Sequence, residues 1–428
     1  ICICISQNRR DKELQTKLES YRSVSNKNQV LKMDTNGLPV PASTNSVLKN
    51  PINVPEKLLM GPGPSNCSPR VLESLSLPVL GHMHKEFFQV LDEIKIGLQY
   101  VFQTSNKWTL AISGPGHTGM EAALVNILEP GDTVVVGKTG IWGARVADLV
   151  VRLGGVAQTI DKPLGQVVTL TDVVDSLQKH RPKILFLVHS ESSTGIMQPL
   201  EGIGEICRSY GTLLVVDTVA SLGGVPFSVD LLKIDVCYSG SQKVLGAPPG
   251  LSPITFGPRA VECVKSRTSP IKSYILDMNF LSNYWDCNGG EPRGYHHTPP
   301  VNLLYGLREG LAMISSEKLE NVWERHALCA KRLQDGLQNM GLELFIEEPA
   351  SRLPTVNTVK IPPGVDWKFV TQHAMEKHLI EIAGGLGPTV GLVWRIGVMG
   401  YNAYPGKVDR VLEALKEALE FGKLQGRL

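Results

Sequence analysis

Tyr238-Ser-Gly-Ser-Gln-Lys-Val-Leu-Gly-Ala-Pro-Pro-Gly250 places a lysine, Lys243, in a Ser/Gly turn directly after the apolar run Ile234–Tyr238. Upstream, Leu213-Leu-Val-Val-Asp217 is a second apolar run, ending on an acid and followed by Thr-Val-Ala-Ser-Leu-Gly-Gly224. Short β-branched or Leu-rich runs of this kind read as buried strands. Thr133–Gly137 and Ile184–Val188 repeat the pattern, with longer amphipathic stretches between them. The alternation predicts an α/β fold, a mostly parallel sheet with helices on both faces. In such sheets ligands bind outside the carboxyl ends of the strands, where both Asp217 and Lys243 fall.

Beyond about Ser316 the texture changes to long helices (Leu319–Leu337, Trp367–Lys377, Lys407–Phe421) with a few short strands, such as Val356–Ile361 and Val393–Val398. This predicts a large domain over 56–316 and a smaller α+β domain over 317–428. Residues 1–55 are polar, rich in Ser, Asn and Lys and without sustained periodicity, and are expected to form a flexible arm. Position 1 is not a methionine, and Met33 is a candidate native start.

The 428 residues, 42% of them hydrophobic, suffice for a large core in about two domains. Lys and Arg total 43 against 41 Asp and Glu, a formal charge of +2. That balance gives no field to favour nucleic acid or an anionic membrane as partner. No run approaches the ~18 consecutive apolar residues of a membrane helix. The eight cysteines are scattered without metal-ligand spacing, so mostly buried thiols in a reducing compartment are expected and no metal is assigned.

Three further stretches bear on chemistry. A lysine buried at a strand end loses hydration, and its lowered pKa suits a Schiff-base nucleophile, although a loop lysine is more often simply solvated. Asp217 could cap a helix. Paired with Lys243, 26 residues later, it is instead placed to keep a pyridine nitrogen protonated, so that the ring acts as an electron sink. Ile112-Ser-Gly-Pro-Gly-His-Thr-Gly-Met-Glu-Ala-Ala-Leu124 is a glycine-rich turn feeding a helix, which suits a phosphate. It matches neither the P-loop nor the dinucleotide fingerprint. Trp142, after a glycine turn, could pack in the core or stack on a planar cofactor. Arg395, within Val393-Trp-Arg-Ile-Gly-Val398, needs either a buried ion pair or a substrate carboxylate gripped by its fork.

From about Pro55 onward the chain resembles the alanine–glyoxylate / serine–pyruvate aminotransferases, fold-type I enzymes of pyridoxal 5'-phosphate. The resemblance rests on GPGPSN (61–66), SGPGH (113–117), GIWG (140–143), HSESSTG (189–195), VDTVASLGG (216–224), SGSQK (239–243), YHHTPP (295–300), RLPTV (352–356), and GGLGP with WRIG (384–397). It implies a seven-stranded sheet, a Schiff base on Lys243 and contact between Asp217 and the pyridine nitrogen. Trp142 would stack on the ring, and Gly116, His117 and Gln242 would help hold the phosphate. Ser192 would lie near the ring hydroxyl and substrate, Gly63 at the substrate, and Arg395 on its carboxylate. Tyr295 and Thr298 would reach the phosphate of the neighbouring subunit, making the enzyme a homodimer. Where the family commonly has a small hydroxyl residue this chain has Pro115, which offers no donor and puts cofactor affinity in question.

The implied reaction is ping-pong transamination of alanine or serine with glyoxylate or pyruvate, a route to glyoxylate detoxification. Activity toward 3-hydroxykynurenine, a lyase or desulfurase chemistry, and a non-catalytic protein on the same fold remain open as other readings. A desulfurase normally needs a mobile cysteine in a Gly/Ser-rich loop near the C-terminus, which this chain lacks. The ending Gly426-Arg-Leu428 resembles the peroxisomal Ser-Lys-Leu address, so a peroxisomal location is expected, with mitochondria as the second possibility.

Overall fold

The computed structural model describes residues 32–33, 39–40, 50–289 and 292–424. Most of the expected N-terminal arm and the address Gly426–Leu428 lie outside these residues. Residues 1–56 separate from the remainder as a unit of their own, in which Lys32–Met33 pairs antiparallel with Pro39–Val40.

Lys57–Leu428 is built on a seven-stranded sheet. Its strands in chain order are β1 (Trp108–Ser113), β2 (Thr133–Lys138), β3 (Val156–Asp161), β4 (Ile184–Val188), β5 (Leu213–Asp217), β6 (Val236–Tyr238) and β7 (Leu251–Phe256). Their spatial order is β1-β7-β6-β5-β4-β2-β3. Only β7 runs against its neighbours; the other pairings are parallel. Every residue of β4 and β5 is buried, as continuous apolar runs must be when helices cover both faces.

The covering helices are α1 (Lys85–Phe102), α2 (Gly116–Ile127), α3 (Ile141–Arg152), α4 (Leu170–His180) and α5 (Ile203–Ser209). Local signals set their starts. Thr169 caps α4 and forms a reciprocal capping box with Asp172. Gly143, in the first turn of α3, must be glycine, because a Cβ there would sit 2.5 Å from Gly137 O on β2. That close approach brings the start of α3, and Trp142 with it, down onto the sheet.

After α6 (Val301–Glu317), a second core forms between α7 (Leu319–Asn339), α8 (Trp367–His378), α9 (Pro405–Leu424) and a small antiparallel sheet. The sheet is β8 (Val356–Lys360), β10 (Val393–Gly397) and β9 (Ala383–Gly384), with β10 central. Leu333, Val370, Trp394, Val411 and Leu415 fill this core. Leu58 and Met60 belong to it as well, because Leu58–Leu59 pairs in parallel with Ile380–Glu381. The chain therefore leaves the second core at Gly61 and crosses to the rim of the large sheet, where Ser65 N–H donates to Gln242 O (2.9 Å). A small apolar cluster of Ala220, Val244, Leu353, Val356 and Met399 packs the loops after β5 and β6 against the small sheet.

Candidate active site

The carboxyl ends of β1, β2, β4, β5 and β6 all open on one side of the sheet and enclose a cavity of about 290 Å³. Asp217 ends β5 and Lys243 lies in the turn after β6; both line the cavity. Asp217 Oδ2 accepts from Tyr238 O–H (2.5 Å) and Oδ1 from Val219 N–H (2.8 Å). Burial pushes the Asp217 carboxyl up to about 6, against the pull of those two hydrogen bonds and of the Lys243 charge. The Lys243 ammonium donates to Pro62 O. Burial first, and then the neighbouring Arg395 guanidinium, bring its pKa down to about 8.

Gly63 runs directly over this lysine. Its φ of +109° and the overlap that a Cβ would make with Lys243 Nζ both require glycine. Gly116 and His117 begin α2, and Pro115 stands at its N-cap without a side-chain hydrogen bond. Burial, followed by the nearby Arg145, lowers the His117 pKa. Trp142 forms one wall, its indole N–H donating to Ser192 Oγ (2.9 Å). Arg395 is buried on β10, donating to Gly384 O (2.8 Å) and Ser192 O (3.2 Å). These carbonyls fix the guanidinium plane beside Lys243.

The eleven residues expected from sequence are thus placed in two groups. Lys243, Asp217, Gly116, His117, Trp142, Ser192 and Gln242 line the cavity, with Gly63 and Arg395 adjoining through Lys243. Tyr295 and Thr298 do not line it within this single chain; both are exposed, and the Tyr295 ring packs against His82. Four residues near the cavity had no signal of their own in sequence. Arg145 is carried there one helical turn after Trp142 and lies over its ring, 4.9 Å from the centroid. Glu191 accepts from Trp142 N–H (3.0 Å) and Ser193 Oγ (2.5 Å), and burial pushes its carboxyl up to about 7. Tyr238 looks like any strand residue until its hydroxyl meets Asp217. Glu381 faces Lys243 and Arg395 from the second core, and burial raises its carboxyl pKa.

A larger, more open groove of about 730 Å³ lies at the other end of the sheet, where β1 begins and β7 ends. Its charged lining residues are Lys107, Glu262 and Lys265.

The donor set suits a planar ring bearing an anionic tail. The first turn of α2 presents uncapped N–H groups at the positive end of its dipole, a natural anion seat. Beside it the Gln242 side-chain oxygen is buried without a hydrogen-bond partner among the described residues, as expected of an amide that faces a bound group. The Trp142 face and the buried Asp217 carboxylate would meet the ring's plane and its nitrogen.

A site of this form, at the carboxyl edge of a seven-stranded sheet, is that of a fold-type I transferase. The class-V aminotransferase family matches residues 72–400, and the chain belongs to that family: it is an aminotransferase. It is 52% identical over 373 residues to the alanine–glyoxylate aminotransferase of Callithrix jacchus, covering 87% of this chain and 90% of that protein. The alanine–glyoxylate aminotransferase of Drosophila melanogaster is 51% identical over 379 residues, 88% of this chain and 96% of the relative. The crystal structure of alanine–glyoxylate aminotransferase from Nostoc sp. superposes with a TM-score of 0.85 at 46% identity, covering 88% of this chain and all of the other.

Proposed function

We propose that this enzyme moves the amino group of a small L-amino acid, alanine or serine, to glyoxylate or pyruvate, using pyridoxal 5'-phosphate held in the cavity around Lys243. The observation that carries the reading is the buried Lys243 amine between the Asp217 carboxylate and the Arg395 guanidinium. One group binds the substrate's charge, one moves its proton, and one sustains the charge of the cofactor ring.

When bound, pyridoxal 5'-phosphate supplies an aldehyde that condenses with amines and a ring that takes up the electron pair released at the substrate's α-carbon. The protein supplies the rest. The start of α2, with Gly116 and His117, seats the phosphate, and Gln242 closes beside it. Trp142 covers one face of the ring, held by its hydrogen bond to Ser192. Asp217, itself held by Tyr238 and Val219, keeps a proton on the ring nitrogen. Arg395 takes the substrate carboxylate in its fork, which sets the α-C–H toward Lys243. The Lys243 amine, once free, would serve as the base that takes the substrate's α-proton and as the acid that returns it. The donor leaves as its oxo acid before the acceptor enters, giving ping-pong kinetics. With glyoxylate as acceptor the product is glycine, which removes a reactive aldehyde acid.

The second part of the proposal is a homodimer in which Tyr295 and Thr298 complete the phosphate site of the other subunit. Their exposure, together with that of the apolar Tyr274, Ile275 and Phe280, supports it.

Holoprotein mixed with L-alanine and no acceptor should lose its visible absorbance and release pyruvate in an amount equal to the enzyme; glyoxylate should restore the band and yield glycine. A band that ignores alanine but responds to serine or 3-hydroxykynurenine would change the donor. A band that ignores every amino acid would contradict the proposal.

A further inference from the structure

On the face where α8 meets α9, away from the cavity, His373, His378 and Glu417 bring three ligand atoms within 4.8 Å of one another. His373 Nε2 is 3.0 Å from Glu417 Oε1, and His378 Nε2 is 3.0 Å from Oε2. Five positions apart, the two histidines stand about 140° apart around an ideal helix. They therefore reach the carboxylate of the neighbouring helix from two sides. The setting is half walled. His373 is buried against the rings of Phe369 and Phe421, whereas the Glu417 side chain is 53% exposed, so an ion has a path in and the carboxylate has room to move.

Both imidazoles are turned onto the one carboxylate. His373 Nε2 is aligned with Oε1. His378 Nε2 meets Oε2 in a buried contact less well aligned for a hydrogen bond. Two ring nitrogens converge on one carboxylate, and the lone pair of a neutral imidazole is a metal ligand.

We propose that His373, His378 and Glu417 form a binding site for one divalent transition-metal ion, with Zn²⁺ the best fit. Two imidazoles and one carboxylate, with solvent as the fourth ligand, are a common zinc donor set, and imidazole disfavours Mg²⁺ and Ca²⁺. Zinc–nitrogen bonds of ~2.0–2.1 Å at tetrahedral angles need ligand atoms roughly 3.4 Å apart. The ligand atoms, now within 4.8 Å of one another, would have to close to that spacing, for which the exposed Glu417 side chain and the place of His378 at the end of α8 leave freedom. The bound ion pins the carboxyl end of α8 to α9, just before the Ile380–Glu381 strand whose carboxylate faces Lys243. The scattered cysteines gave no hint of it, because its ligands come from two helices far apart in sequence.

Equilibrium dialysis of the holoprotein against Zn²⁺, with zinc counted per chain, tests the site. Unaltered protein should hold one equivalent more than His378→Ala or Glu417→Gln, and zinc should raise its unfolding midpoint by a few degrees while leaving both variants unmoved. Transamination should be the same in all three, which also shows that the variants fold. In parallel dialysis Mg²⁺ should give no such difference. Equal zinc content and equal thermal response in all three proteins would overturn the proposal, and an equivalent of Mg²⁺ lost in the variants would overturn the choice of metal.

Discussion

The Lys243 amine is buried beside a second cation, Arg395, and both influences favour its neutral form. The neutral amine is the nucleophile that captures an aldehyde. Because its pKa is brought down to about 8, the neutral fraction grows with pH and saturates above that value. Recombination of apoprotein with pyridoxal 5'-phosphate should therefore accelerate about tenfold per unit below pH 8 and level off above it, as followed by absorbance in stopped flow; a rate independent of pH between 6 and 9 would contradict the assigned state of the amine. Lys243→Arg keeps the charge and loses the base, so turnover should fall by at least about a thousandfold, measured with alanine and glyoxylate.

Glu191 carries the opposite sign. Its folded pKa, pushed up to about 7, exceeds that of an unfolded glutamate, so folding favours the protonated acid. The contribution to stability is full below about pH 4.5 and is lost as pH rises through about 7, amounting to about 3 kcal/mol. Asp217 adds to the same trend. Urea unfolding of the apoprotein should show stability falling from pH 5 to 7, with a shallower slope in Glu191→Gln; identical slopes would contradict the burial argument. Asp217 and Lys243 were readable in sequence because a charge at the end of an apolar strand stands out. Glu191, Glu381 and Arg145 were not, because each acquires its neighbours only when loops and helices from distant strands converge.

Two helix starts bear the site. At α2, Pro115 offers neither an N–H nor a side-chain acceptor. Pro115→Ser restores a hydroxyl beside the phosphate seat and should tighten cofactor binding severalfold, measured by fluorescence titration of apoprotein; an unchanged affinity would show that the phosphate does not use this turn. At α3, Gly143→Ala would press a methyl onto Gly137 O and push the helix off β2. Such overpacking costs about 1–3 kcal/mol, and thermal unfolding together with the cofactor's circular dichroism should register both the lost stability and the shifted Trp142.

Elements with a strong period were legible. Ile184–Val188 is a strand as read from sequence, and the three long C-terminal helices differ from expectation only at their ends. Ile234–Tyr238 shortens to Val236–Tyr238. Three strands of the large sheet had escaped notice, the first being β1, Trp108–Ser113, which leads into the glycine-rich turn. β3, Val-Ala-Gln-Thr-Ile-Asp, is a partly exposed edge strand without an apolar run. β7 contains Pro253, a residue that argues against an interior strand, yet it lies between β1 and β6 as the sheet's single antiparallel member.

At the scale of the whole molecule, the mostly parallel sheet and the position of its ligand-binding edge followed from the alternation of apolar runs and amphipathic stretches. The crossing of Gly61–Asn66 from the second core to the lysine turn did not, since no local pattern encodes a contact between residues 65 and 242. The proposed dimer makes a prediction at this scale, because Tyr295 and Thr298 are exposed in the single chain. Thr298→Ala should weaken cofactor binding while light scattering still reports a dimer; a monomeric wild-type protein with full activity would contradict the shared site.

The central claim is that Lys243 holds the cofactor and moves the proton. Borohydride reduction of the holoprotein, followed by peptide mapping, tests it most directly. The account predicts a phosphopyridoxyl group on Lys243 in the peptide Ser239-Gly-Ser-Gln-Lys243 and nowhere else. A group fixed on another lysine, or none at all in a protein that still transaminates, would contradict it.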